Sequence, residues 1–297
     1  APGPGEVVAR AIASGVSRGT ELLLYAGEGP EPFDPSLGAK TYPCRYGYAW
    51  VGEIARVGPG VELEAGQRVF ALAPHGEELA AEAAAVRAVP AHLPPARVTL
   101  AANLETALTC VWDARVGVGD RALVLGAGVV GLLAAHVAAK AGAAVTVVEP
   151  SARRREAALA LGAHRALPDG GALGDDFDAV IEATGRPETL ARAIAHAAVE
   201  ARVVVASFYG RRVAEVPLGE AFHRRRLQLV SSQVSRVPPE RAPRWDARRR
   251  FAVVLDLLAD ERLDAIVDAP RPFASAPEVY RDLAARPGEG LHAVLAY

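Results

Sequence analysis

Three glycines and one acid define the first chemical possibility in this sequence. In Arg121-Ala-Leu-Val-Leu-Gly126-Ala-Gly128-Val129-Val130-Gly131 an apolar run breaks at Gly126 and resumes with helical character, and Ala144-Val-Thr-Val-Val-Glu149 follows. This is the spacing of a strand, a tight turn and a helix that bind a dinucleotide. Gly126 permits the turn, Gly128 lets the backbone approach a pyrophosphate, and Gly131 lets helix and strand pack closely. Val129 and Val130 open the helix, whose unpaired N–H groups and positive dipole end favour an anion. Glu149 lies 18 residues after Gly131, close to the roughly 20 at which an acid accepts hydrogen bonds from the adenosine ribose. Such an acid repels the 2′-phosphate of NADP and predicts NAD. The run Ser151-Ala-Arg-Arg-Arg155 is either the opposing signal, since arginine pairs with phosphate, or a solvated helix face.

The elements that must position this turn continue in the same rhythm. Ser151 suits the N-cap of a helix over 152–161 that Gly162 ends. A strand over 177–185, a helix with Pro187 near its first turn, a strand over 201–209 and a last strand over 227–232 follow, which predicts a doubly wound parallel sheet. Ligands bind beyond the carboxyl ends of such strands, which singles out Thr184, Gly185, Ser207, Phe208 and Tyr209. Residues 1 to about 105 instead read as short β-runs separated by Gly and Pro, the pattern of a small barrel or sandwich. The alanine-rich stretch 80–88 fits a helix or a covering strand. A helical pattern runs from about Leu104 through Trp112, with Glu105 as a first-turn acid. Residues after about 236, with a helix over 247–258, leave the rhythm and are expected to complete the first domain. The stretch 122–139 approaches the roughly 20 apolar residues of a membrane span, but its early glycines and His136 fit a strand and a buried helix better.

Bulk properties narrow the classes. The 297 residues suffice for two domains, and 51% hydrophobic with 23% charged residues describes an ordinary globular protein. A net charge of −2 predicts neither nucleic acid nor membrane as partner. The arginine clusters at 223–226 and 248–250 accordingly read as solvated faces or interdomain pairs. Two cysteines, Cys44 and Cys110, exclude a disulfide framework and a cysteine-rich metal lobe, and a reducing cytoplasm is the expected compartment. The chain opens at Ala1 without a signal-peptide pattern and holds no methionine.

Four segments, in order, carry a resemblance. Gly15-Val-Ser-Arg-Gly-Thr-Glu21, Tyr46-Gly-Tyr-Ala-Trp-Val-Gly52, Gly119-Asp-Arg-Ala-Leu-Val-Leu-Gly-Ala-Gly128 and Val180-Ile-Glu-Ala-Thr-Gly185 resemble motifs of the medium-chain dehydrogenase/reductase superfamily. Within it, Ser14–Glu21 and Ser231-Ser-Gln-Val look most like the branch that includes bacteriochlorophyllide dehydrogenase. The resemblance implies an α/β protein: a GroES-like β-barrel catalytic domain over 1–105 and 236–297, and a doubly wound Rossmann domain over 106–235. It also implies a nicotinamide cofactor in the cleft, with Thr106 among its contacts, a small-molecule substrate and a homodimer.

The departures bear on the chemistry. Zinc members of the superfamily place a cysteine in the first motif, a histidine and often an acid in the second, and a Cys or Glu just before the nucleotide domain. This chain has Ser17 or Arg18, then Tyr48 and Ala49, then approximately Ala102. Zinc needs about three deprotonated ligands around an open position, so no catalytic zinc is expected, and two cysteines cannot form a four-cysteine structural site. Hydrogen-bond donors must then stabilise an alkoxide. Tyr48 stands at the vacated ligand position, with Ser17, Thr20 and His75 as relay candidates. As a base it would need its pKa depressed from about 10, for which Arg18, Arg45 or the nicotinamide ring are candidate cations. Structural roles stay open for each: Tyr48 as a pocket wall, His75 as a satisfied loop histidine, and Ser17, Thr20 and Glu21 as ties of a turn. The remaining histidines read as structural, and the pocket is expected at Tyr48, Trp50, His75 and Phe208. These residues suggest an NAD-dependent oxidoreductase, NADP being the lesser choice, acting on a secondary alcohol, ketone or conjugated carbonyl. The alternatives are a non-catalytic nucleotide-binding protein and a redox-neutral lyase or epimerase with retained NAD.

Overall fold

A computed structural model describes residues 1–28, 42–286 and 288–297. The chain packs as two units, Ala1–Ala102 with Leu255–Tyr297, and Asn103–Val254. In chain order the first unit contributes β1 (Glu6–Val16), α1 (Thr20–Tyr25), β2 (Trp50–Val57), β3 (Arg68–Ala71), β4 (Glu78–Glu82), β5 (Val86–Ala88) and α2 (Pro95–Val98). Next come α3 (Ala101–Asp113), β6 (Arg121–Leu125), α4 (Val129–Lys140), β7 (Ala144–Val148), α5 (Ala152–Ala160) and β8 (Arg165–Leu167). Then β9 (Phe177–Glu182), α6 (Thr189–His196), β10 (Ala197–Val205), β11 (Gln228–Ser231) and α7 (Ala247–Leu258) lead to β12 (Arg271–Pro272), α8 (Ala276–Ala285) and β13 (Ala293–Ala296). The return to the first unit falls within α7, later than the 235/236 boundary read from the sequence.

The first unit is organised by β1. Val7, Ala9 and Ala13 face inward while Glu6 and Arg10 stay exposed, the period-two pattern of a half-buried strand. The strand is long enough to take β2 along one side and both β4 and β13 along the other, β4 on Glu6–Arg10 and β13 on Ala13–Val16. The seven-stranded sheet runs β12-β13-β1-β2-β3-β5, with β4 on β1. Val7, Ala9, Trp50, Ile54, Val69 and Ala71 form its core. The ambiguous stretch 80–88 resolves into the end of β4, a 3₁₀ turn at Ala83–Ala85, and β5. Alanine carries little hydrophobic contrast, so neither period shows in its sequence. Ser14 pairs with Trp50 on one side and Leu295 on the other. The segments after β1 and before β2 and the chain's C-terminal end therefore start from adjoining positions.

In the second unit six parallel strands run β11-β10-β9-β6-β7-β8, the order of a dinucleotide-binding doubly wound sheet, reversing between β6 and β9. The strand expected over 201–209 occupies 197–205 instead, which leaves Ser207, Phe208 and Tyr209 in the loop beyond its carboxyl end. Residues 131–138 of α4 are buried, His136 included, which explains the apolar run. Among the described residues no helix is long and apolar enough to cross a membrane.

Candidate active site and dinucleotide-binding turn

The glycine turn has the shape its spacing predicts. Gly126 adopts φ +90°, and a Cβ there would lie 2.9 Å from the Ala183 carbonyl oxygen. A Cβ on Gly131 would stand 2.0 Å from the Gly126 carbonyl oxygen, so only glycine lets α4 pack this closely. Gly128 caps α4 without a side-chain hydrogen bond, and a Cβ there would meet nothing within 4 Å. The cap is open, with Val129 and Val130 in the first turn, and its backbone donors fit a pyrophosphate. Glu149 is buried; its Oε2 accepts from Ala127 N at 2.9 Å and its Oε1 from Ser151 N at 3.0 Å. The acid is thereby fixed beside the turn. Ser151 caps α5 through its backbone position, without a side-chain cap bond. Arg155 donates to the carbonyls of Glu149 at 2.8 Å and Pro150 at 2.6 Å. Thr106 is half-buried on α3.

Beyond β9 and β10 the predicted loop residues divide. Gly185, at φ +72°, donates its N–H to Ser207 Oγ at 2.8 Å, while Phe208 is half exposed. Thr184 bonds to Glu182, which is fully buried at the end of β9. Glu182 also accepts from Thr189 Oγ1 at 2.9 Å and from the Tyr209 hydroxyl at 2.5 Å. Burial and that carboxylate push the Tyr209 phenol far up.

In the first unit the hub is Glu21, 2% exposed. Its Oε1 accepts from Ser17 N at 2.7 Å; its Oε2 takes the Tyr280 hydroxyl in a close contact and lies 2.9 Å from His75 Nε2. His75 Nδ1 is 2.7 Å from Ser14 Oγ, which is 2.9 Å from the Tyr297 hydroxyl, to which Gly76 N donates at 3.1 Å. One orientation satisfies every member: Gly76 N–H to Tyr297, Tyr297 O–H to Ser14, Ser14 O–H to His75 Nδ1, and His75 Nε2–H to Glu21. The proton on Nε2 is assigned from this network. Gly47 makes room for the loop, since a Cβ there would approach His75 N to 2.9 Å. A carboxylate, histidine and serine in series have the composition of a nucleophilic triad. Ser14 is 1% exposed, so its hydroxyl has no access to a substrate.

Tyr48 is half-buried and donates its hydroxyl to Ser17 Oγ at 2.5 Å. Burial pushes its pKa up to about 12, with Glu21 adding to the rise and the hydroxyls of Ser17 and Thr20 opposing it. The shift thus runs opposite to the depression a base would need. Arg18, adjacent in sequence, donates to the carbonyls of Glu289 and Arg286, the latter at 3.1 Å. It therefore does not serve as the cation for a tyrosinate. Trp50 is 1% exposed in the sheet core, with Nε1 donating to Gly76 O at 2.9 Å, and is no pocket wall.

Two further residues depart from their sequence reading. Glu105 and Arg250 are 3% and 5% exposed and pair at 3.1 Å; α3 begins at Ala101 with no acid in its first turn, so Glu105 is an ion-pair partner rather than a first-turn acid, and the 248–250 cluster is not wholly solvated. At a sequence separation of 145, no local pattern could reveal the pair. His292 is fully buried against Thr99 Oγ1 at 2.8 Å, and burial lowers its pKa to about 4.

The donor set at the superfamily's zinc positions does not meet the metal's needs. Arg18 is spent on carbonyls, the Tyr48 phenol holds its proton, and Ala49 and Ala102 have no ligand atom. Among the described residues no three His, Cys, Asp or Glu side chains come together as a metal-holding group.

A family model for zinc-binding dehydrogenases matches residues 129–248. D-guloside 3-dehydrogenase of Escherichia coli (strain K12) is 27% identical over 268 residues, covering 84% of this chain and 77% of that protein. The 2-desacetyl-2-hydroxyethyl bacteriochlorophyllide A dehydrogenase of Cereibacter sphaeroides is 31% identical over 231 residues, covering 72% of this chain and 69% of the relative. Among solved structures, a protein assigned as a zinc-binding dehydrogenase from Sinorhizobium meliloti 1021, bound to NADP, aligns with TM-score 0.83 at 20% identity over 100% of this chain and 93% of its own. A short chain alcohol dehydrogenase from E. coli CFT073, complexed with NADH, aligns with TM-score 0.79 at 20% identity, over 100% of this chain and 93% of its own. These neighbours share the fold, a GroES-like domain and a Rossmann domain. By its family match and its 31% identity to a dehydrogenase most of whose length it covers, the chain belongs to the zinc-binding dehydrogenase family of the medium-chain dehydrogenase/reductase superfamily.

Proposed function

We propose that the protein is a nicotinamide-dependent oxidoreductase that interconverts a secondary alcohol and a ketone, or reduces a conjugated carbonyl, without a catalytic zinc. The observation that carries this reading is the Tyr48 hydroxyl, placed where the superfamily puts a zinc ligand and bonded to Ser17 Oγ at 2.5 Å. When bound, the nicotinamide supplies or accepts the hydride. The protein's own part is to hold the nucleotide at the Gly126–Gly131 turn and to stabilise the substrate oxygen. At a pKa of about 12 only about one Tyr48 in 10⁵ is ionised at pH 7, so it acts as a donor. Its proton turns from Ser17 to the developing alkoxide while the Ser17 hydroxyl turns to the phenol oxygen, with Thr20 supporting the pair. His75 acts at one remove: through Glu21 it fixes the Ser17 backbone.

NAD is the proposed cofactor. In support, Glu149 is fixed by Ala127 N and Ser151 N, an acid of the kind that accepts from a ribose and repels a 2′-phosphate, and Arg155 of the neighbouring run is committed to backbone carbonyls. A small-molecule substrate, a homodimer and a cytoplasmic setting belong to the same reading. Calorimetric titration of the metal-analysed protein with NADH and NADPH tests it. NADH binding with NADPH at least about tenfold weaker, about 1.4 kcal/mol, supports it, and binding of neither overturns it. On a substrate found by screening ketones and secondary alcohols, Tyr48→Phe should lower kcat about 10²-fold, as loss of one oxyanion donor does, with the Kd for NADH unchanged. An unaltered kcat would reduce Tyr48 to a pocket wall.

A further inference from the structure

A fully buried carboxylate lies where this fold receives its ligand. The sheet order reverses between β6 and β9, and doubly wound sheets bind ligands beyond the carboxyl strand ends at that reversal. Glu182 is the last residue of β9 and is 0% exposed. Donors from three segments converge on it: Thr184 N at 2.8 Å and the Thr184 hydroxyl, Thr189 Oγ1 at 2.9 Å, and the Tyr209 hydroxyl at 2.5 Å. These four donors are neutral and solvate the carboxylate with dipoles, and among the described residues no cation pairs with it in this low-dielectric interior. Two further charged groups act on Tyr209, Glu188 and Arg212. They are exposed, opposite in sign and screened by solvent.

We propose that Glu182 is a buried counter-charge for the oxidised nicotinamide ring, biasing the bound couple toward NAD⁺; this rests on the dinucleotide reading above. The oxidised ring carries a positive charge that disappears when it accepts a hydride. An uncancelled anion stabilises the charged ring and leaves the neutral one unaffected. Bound NADH is thereby made the better hydride donor, which suits reduction of a carbonyl. Tyr209 and Thr189 hold the carboxylate in place and are positioning residues.

The test is the ratio Kd(NAD⁺)/Kd(NADH), measured by calorimetry for wild type, Glu182→Gln and Tyr209→Phe, with Tm recorded for each. Glutamine keeps the size and one acceptor oxygen but removes the charge, and the ratio should rise about tenfold, the order of one unit charge acting through an effective dielectric of about 20. Tyr209→Phe keeps the charge and removes a dipole that solvates it, so the ratio should stay or fall by about twofold. This second arm stands if Glu182→Gln does not fold. A ratio unchanged in Glu182→Gln, with both constants shifted alike, or a ratio that rises in Tyr209→Phe, overturns the proposal and leaves Glu182 a loop tie. Failure of the wild type to bind either nucleotide overturns the underlying dinucleotide reading, and is distinct from both.

Discussion

Removal of the Glu105 carboxylate is a perturbation whose cost the structure defines. Arg250 Nε lies 3.1 Å from Glu105 Oε1, and its Nη1 donates to Thr109 Oγ1 at 3.2 Å and to the Val234 carbonyl at 2.7 Å. The two charged side chains are 5% and 3% exposed. In Glu105→Ala the guanidinium loses that anion and stays buried, which costs about 3–5 kcal/mol. For a unit of this size each kcal/mol moves Tm by about 2–4 °C, so the second unit should melt about 6–20 °C lower. Replacing both partners, Glu105→Leu with Arg250→Met, removes both charges at nearly constant volume. The remaining cost is the Val234 carbonyl and the Thr109 hydroxyl left without that donor, about 1–3 kcal/mol. The double variant should thus be more stable than Glu105→Ala. Trp112 and Trp245 pack with ring centroids 4.9 Å apart and planes tilted by 59° in this unit, and Trp50 lies in the other. In a Trp50→Phe background, denaturant unfolding followed by tryptophan fluorescence reports the second unit alone. A loss below about 1 kcal/mol in Glu105→Ala would refute the reasoning. So would a double variant no more stable than that single one.

The glycine turn separates two kinds of failure. Gly128→Ala meets open space and should leave Tm unchanged while weakening NADH at least about tenfold, because its methyl stands where the pyrophosphate approaches. Gly131→Ala puts a methyl 2.0 Å from the Gly126 carbonyl, so α4 must shift, and both Tm and binding should fall; equal behaviour of the two in calorimetry and melting would count against the assignment. His292 sets an acid limit. Its folded pKa of about 4 lies below its ordinary 6.5, so the unfolded chain takes up the proton first. The stability it contributes above pH 6.5 is lost as pH falls toward 4, by about 3 kcal/mol. His292→Leu should lose that much less stability between pH 7.5 and 4 than wild type in denaturant titrations, and equal pH slopes would show that the histidine is accessible to protons when folded.

How far the sequence reaches depends on the distance between interacting residues. The dinucleotide turn is contiguous, so Gly126, Gly128, Gly131 and Glu149 could be assigned roles before any coordinates, and a doubly wound parallel sheet followed from the alternation of elements. The stretch 80–88 could not be assigned, because alanine is indifferent to the period that separates helix from strand. In the first unit the resemblance implied that Tyr48 stands at a vacated ligand position, but it did not give the sign of the field acting on it. Arg18 sits beside Ser17 in the chain, yet its guanidinium reaches the carbonyls of Arg286 and Glu289, whereas Glu21, legible only as a turn residue, faces inward and holds Ser17 N, His75 and Tyr280. The nearest charge in sequence is therefore the wrong one to consult. What raises the Tyr48 pKa, against the hydroxyls of Ser17 and Thr20, is the burial of its ring and then a carboxylate whose partners come from positions 75 and 280. The same holds for Glu182, one letter of a recognisable Val-Ile-Glu-Ala-Thr-Gly segment whose hydrogen-bond donors include Thr189 and Tyr209. A motif thus names the atoms available for chemistry, while their protonation and electrostatic bias are set by contacts across the fold, and it is these that hold the proton on Tyr48.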